Sequence, residues 1–149
     1  MSWEFITGTG KAKSGGRVLN STPSLHVVDF GTLSATTTKV LKLPGVNKKV
    51  SAVKIQAGAS QSASISNYFA VEVLNKGTAG SGSTKIVDDT VAANNTKAGL
   101  TAYTPYALTI AGSNANLAVA DDSLQIKLTV TGTVSLANTQ ILVYLVDRG

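Results

Sequence analysis

A chain of 149 residues is long enough to bury one hydrophobic core of its own and short for two domains. Only 14% of the residues are charged against 43% hydrophobic, and a net charge of +5 favours contact with an acidic surface without naming one. The absence of cysteine excludes disulfides, zinc–thiolate sites and thiol nucleophiles, and leaves the redox compartment open.

The N-terminus has no basic segment followed by an apolar run, so no export signal is read there and a soluble protein is expected. Residues 1–24 lack periodicity and are punctuated by Gly8, Gly10, Gly15, Gly16 and Pro23. They read as an extended basic arm with at most one short strand near Trp3 and Ile6. Trp3 and Phe5 fall on one side of that strand, and an apolar side of this kind is expected to pack on something, a neighbouring subunit included. Lys11, Lys13 and Arg17 follow in the arm; with Lys39, Lys48 and Lys49 they make the N-terminal third the basic end.

From residue 25 onward the pattern becomes that of a β domain, 25–149. Residues 25–30 predict a strand, 31–35 a turn and 36–43 a second strand stopped by Pro44 and Gly45. Residues 50–57 are its expected hairpin partner, with Val53, Ile55 and Ala57 on one face, Lys54 and Gln56 on the other, and Lys48 and Lys49 at the tip. Residues 68–74 place Phe69, Val71 and Val73 inward, and 75–83 form a loop. Residues 84–87 predict a short strand closed by Asp88 and Asp89, after which 90–100 is a helical turn or a loop. Residues 106–110 and 117–119 predict two more strands. Residues 124–131 alternate strictly, and 139–146 are apolar on both faces, as in a central strand or one covered by a partner. Roughly eight to ten strands, with turn signals about every 8 to 12 residues, give an all-β fold: a single antiparallel β-sandwich or jelly roll. The longest aliphatic and aromatic run, 141–146, is far too short to cross a bilayer, so no membrane partner is expected.

Catalysis finds little to work with. The one histidine, His26, lies inside a strand, so it reads as a structural residue, and the two glutamates, Glu4 and Glu72, have no reason to converge. The Asp88-Asp89 and Asp121-Asp122 pairs offer oxygen ligands for calcium but lack a known loop spacing, and aspartates in turns commonly bond nearby amides. Gly8 to Lys11 departs twice from a phosphate-binding loop, at Phe5 and at Ala12. The Lys11, Lys13 and Arg17 stretch has no interleaved aromatics for base stacking, so it reads as a solvated or partner-contacting arm and not as a nucleic-acid site. Asn20 and Asn94 fit glycosylation acceptors, which mean little without export. No enzyme activity and no cofactor are expected.

The stretch 117–133, with its acidic turn at Asp121-Asp122 and its alternating strand ending in Thr131-Gly132, resembles, together with the apolar run 141–146, the closing strands of tailed-bacteriophage capsid decoration (cement) proteins and related small β-sandwich virion proteins. The resemblance implies a homotrimer on the capsid surface, assembled in the host cytoplasm, that clamps neighbouring major capsid protein subunits and stabilises the shell. On that basis Trp3, Phe5, Lys11, Lys13 and Arg17 are the expected capsid or subunit contacts. The alternative is a glycan- or receptor-binding β-sandwich of a fibre or tail component, with Tyr103 and Tyr106 as stacking platforms.

Overall fold

A computed structural model describes residues 12–14, 17–19, 23–43, 48–92, 97–112, 116–117 and 122–147. Its strands are β1 (Ala12–Ser14), β2 (Arg17–Leu19), β3 (Ser24–Leu33), β4 (Thr37–Lys42), β5 (Lys48–Gln56), β6 (Tyr68–Gly77), β7 (Thr84–Val91), β8 (Tyr106–Ala107), β9 (Asn116–Leu117), β10 (Ser123–Thr131) and β11 (Leu136–Asp147).

Alternation decides which residues become the core. In β10, Leu124, Ile126 and Leu128 are fully buried while Gln125, Lys127 and Thr129 face outward; β6 repeats the pattern with Phe69, Val71 and Val73. These two strands pair in register, Ile126 opposite Val73 and Leu128 opposite Val71, so their apolar rows merge into one inner face. The second sheet answers with Val53 and Ile55 from β5 and Ile141, Val143 and Leu145 from β11. Each such side chain contributes about 1.5–3 kcal/mol by leaving water.

One sheet runs β4-β10-β6-β7 and the other β3-β11-β5-β8, with β9 also on β5. Every pairing is antiparallel, and the partners nest: β6 with β7, β5 with β8 and β9, β4 with β10, β3 with β11. This is one long hairpin folded over so that successive pairs fall in opposite sheets. The sandwich is therefore a jelly roll, which sequence alone had left open.

The expected hairpin of 36–43 with 50–57 does not form. β4 pairs with β10 and β5 with β11, in different sheets. The reason lies in burial: β4 is mostly exposed and suits an edge, whereas β5 buries alternate residues and needs neighbours on both sides. Lys48 and Lys49 consequently begin β5, opposite Asp147 and Val146, and do not form the tip of a β4–β5 hairpin. The turn expected at 31–35 starts later because Gly31, at φ +64°, is absorbed in β3 opposite Thr139 of β11, where the register shifts on both sides of the pair, and its N–H bonds Asp29 Oδ1 at 2.8 Å. β7 runs through Asp88 and Asp89 instead of stopping at them. The 106–110 strand is short: Tyr106 and Ala107 pair with β5, then Ile110 bridges to Val87 of β7 in the other sheet. β1 and β2 pair antiparallel within the stretch read as an extended arm, with Ser14 opposite Arg17. The strand expected near Trp3 lies outside the described residues, as do Asn20, Asn94, Asp121 and residues 93–96 of the 90–100 span.

Gly132, at φ +72°, packs against the Ser66 carbonyl and Asn67 Oδ1 so closely that a Cβ would collide with both. Gly132→Ala is expected to lower unfolding free energy by about 2 kcal/mol or more in urea titration, from strain plus the clash.

Candidate functional site

The two flanks of the sandwich are built differently. On the β7–β8 side main chain closes the gap: Leu108 N–H bonds Val53 O at 2.9 Å and Ala111 N–H bonds Ile86 O at 2.9 Å, stitching one sheet to the other. On the opposite side β3 and β4 are both edge strands. There the Lys39 ammonium of β4 lies 5.7 Å from the Phe30 ring centroid of β3.

Next to the β3 edge the five-stranded sheet has an apolar outer face. β11 is apolar on both sides: Ile141, Val143 and Leu145 point into the core, and Leu142, Tyr144 and Val146 point away. Register places Val27 and Lys54 on either side of Leu142, and Leu25 and Ala52 on either side of Tyr144. Leu142 is covered to 7% exposure by these neighbours, whereas Leu25 and Val27 stand 49% and 48% exposed. Lys54 arches over the patch, its ammonium 5.3 Å from the Tyr144 ring centroid. Lys48 and Asp147 close the far end of β11 with a 2.6 Å ion pair. The surface is an apolar centre with a polar rim, the composition of a protein contact area.

The expectation that 139–146 forms a central strand holds, since β11 lies between β3 and β5. Its outer neighbours Leu25 and Val27 were legible in principle, because residues 25–30 place apolar side chains at both parities: Leu25 and Val27 on one, Val28 and Phe30 on the other. The second pair is the buried one. His26 shares its parity, opposite Val143 and half-buried.

The described carboxylates serve cations and amides. Glu72 and Asp88 face each other across β6 and β7 and share Lys85, at 3.3 and 2.7 Å; the Asp88 bond first, then Glu72, raises the Lys85 pKa. Asp89 is 8% exposed and points into the edge of the sandwich, opposite Val71. It accepts from Thr90 N–H and Thr109 N–H, both at 2.9 Å, and pairs with Lys97 at 2.7 Å. Burial pushes its pKa up, but Lys97 and the two amides outweigh that and hold the carboxyl below its ordinary value. The Asp88-Asp89 pair is thus split between Lys85 and Lys97, which is not how a calcium loop gathers its ligands. Asp122, 4% exposed, accepts from Asn75 Nδ2 at 3.4 Å.

Of the five expected contact residues, Lys13 falls on β1 and Arg17 on β2; Trp3, Phe5 and Lys11 lie outside the described residues. Tyr103 is 70% exposed at a left-handed φ of +58°, while Tyr106 packs against the core, so the two do not form a joint platform.

No protein-family model matches the chain, and no curated protein does. Among solved structures it is similar to the VP2 subviral particle of infectious bursal disease virus, with 13% identity, TM-score 0.48, and coverage of 97% of this chain and 38% of that one. It is also similar to the Gx strain of the same virus, with 16% identity, TM-score 0.43, and coverage of 97% and 40%. A third similarity is to a chain of the cyanophage Pam1 capsid asymmetric unit, with 14% identity, TM-score 0.45, and coverage of 95% and 97%. The chain spans about two-fifths of the length of the bursal disease virus chains and nearly all of the cyanophage one.

Because the folded pKa of Asp89 is depressed, its contribution to stability is complete above the ordinary carboxylate value, about 3.9, and is lost as pH falls through the lower folded value. Asp89→Asn is expected to cost about 1–2 kcal/mol at pH 7 and progressively less as pH falls below the ordinary carboxylate value and through the lower folded one. Denaturant unfolding of both proteins across that range measures the difference.

Proposed function

We propose that the protein is a structural virion component without enzyme activity, which binds the outer surface of a phage capsid as a homotrimer and stabilises the shell by clamping neighbouring major capsid subunits. The observation that carries this reading is the apolar outer face of the β3-β11-β5 sheet beside a β3 edge that no other described strand pairs. A jelly roll serves shells and lectins alike, so the surface and not the fold has to decide. A flat face centred on Leu25, Val27, Leu142 and Tyr144 suits a broad protein surface, and the β3 edge can accept a further strand. The basic arm with Trp3, Phe5, Lys11, Lys13 and Arg17 supplies further contacts to the capsid or to a neighbouring subunit.

The mechanism is linkage. A protein that binds the assembled shell and not its free subunits lowers the free energy of the shell by RT ln(1 + [L]/Kd) at each site, and a binder that spans two subunits adds resistance to their separation.

Cosedimentation with mature capsids tests the reading. Val27→Asp places a charge in the apolar centre and is expected to weaken binding at least about tenfold, equivalent to ~1.4 kcal/mol. Removal of residues 1–17 is expected to weaken it as well. Binding unchanged by both alterations would refute the assignment of these surfaces.

A further inference from the structure

The ends of the sandwich differ in charge. No Asp, Glu, Lys, Arg or His occurs at 30–38, 55–71, 98–120 or 128–146. These runs contain the β3–β4, β5–β6 and β10–β11 connections and the β7–β8 connection from 98 on, and Lys97 just before it is neutralised by Asp89. The connections are tied into one plate. Gly58 N–H bonds Ala137 O at 2.7 Å, Tyr103 N–H bonds Ala57 O at 2.7 Å, and Gln61 and Leu100 exchange two bonds of 2.8 Å. Thr133 N–H bonds Asn67 Oδ1 at 2.8 Å, and Val130 N–H bonds Thr36 Oγ1 at 3.1 Å. Ile65 and Tyr103 project from this plate at 77% and 70% exposure, the most exposed large apolar side chains among the described residues. Lys42, Lys48 and Lys49 lie at the opposite end, where β4 finishes and β5 begins.

We propose that this uncharged plate, centred on Tyr103 and Ile65, is the surface through which copies of the chain associate with one another. Charge selects the occupant. Each copy carries +5. Contact between copies through the opposite end gathers Lys42 and Lys49 on both sides, and contact through the outer face of the β3-β11-β5 sheet gathers Lys54. The outer face of the other sheet carries Lys85 and Lys127 among Glu72 and Asp88, charges that a second copy would have to desolvate. At the plate two copies meet with neither like charges nor ion pairs to desolvate. Depletion of charge around an exposed tyrosine is also the composition of an interface centre. The inference rests on the homo-oligomer part of the reading above, and it separates self-association at the plate from shell contact at the outer face of the β3-β11-β5 sheet.

Light scattering of the full chain over a hundredfold concentration range tests it, with circular dichroism as the check on folding. The wild type is expected at a multiple of the 15.2 kDa chain mass. Tyr103→Asp and Ile65→Asp are each expected to raise the dissociation constant at least tenfold, and Val27→Asp to leave it unchanged. If an aspartate variant does not fold, Tyr103→Ser and Ile65→Ser take its place. A wild-type oligomer that survives substitution at both positions overturns the plate and spares the oligomer reading. A wild-type monomer at every concentration overturns both. A monomer that binds glycans on an array and loses them with Tyr103→Ser assigns the plate to sugar instead.

Discussion

β11 hydrogen-bonds to β3 along one side and β5 along the other, and neither of its faces is polar. A strand with Ile141, Val143 and Leu145 on one side and Leu142, Tyr144 and Val146 on the other cannot sit at an edge without leaving apolar surface and unpaired amides in water. Placing it between the first and third strands of the roll satisfies the amides and buries the inner row. It also draws residues near the two ends of the chain together, Leu25 against Tyr144. The nested pairs inside it follow from that closure, since β4 with β10, β5 with β8 and β9, and β6 with β7 are successive layers of the same folded hairpin. Closure leaves the outer face of this sheet only partly covered: Leu142 is buried, Tyr144 and Val146 are half-buried, and Leu25 and Val27 on β3 stand about half exposed. The candidate contact face is the remainder of the interaction that holds the fold.

The two buried carboxylates, Asp89 and Asp122, lie on an edge strand and just before the start of β10. Asp89 is an inward carboxylate on an edge strand, and with Thr109 and Lys97 it pins the segment that crosses between sheets. Leu108 and Ala111 complete that seam with backbone bonds. Among the described residues the β3–β4 flank has no such seam, and β3 and β4 are both edge strands. A molecule closed on one flank and open on the other has a direction, and the apolar face adjoins the open side.

Much of this was legible in the sequence wherever a period of two was clean. The inward rows of β6 and β10 follow directly from alternation, and so does the central place of β11 from its double apolar character. Pairing was not legible, because alternation fixes which side a residue faces but not which strand lies beside it. The β4–β5 hairpin was expected from proximity along the chain; the topology puts the two in different sheets because β4 is too polar for an interior position. Gly31 and the Asp88-Asp89 pair read as stops, since glycine and aspartate usually end strands, yet here one is absorbed as an irregularity and the other is held by Lys85 and Lys97. The outer patch was half legible. The two-faced apolar run at 139–146 was visible, whereas the contribution of Leu25 and Val27 required the register of β3 on β11.

Hydrogen–deuterium exchange of the protein, free and bound to mature capsids, tests the central claim most directly, because it reads the β3 edge and the β11 face separately from the loops. If the outer face of β3-β11-β5 is the shell contact, those amides of Ser24–Leu33 that do not bond β11 exchange readily in the free protein and become protected on binding, while the plate around Tyr103 is unaffected by the shell. Unchanged exchange across β3, with new protection confined to other strands or loops, would contradict it.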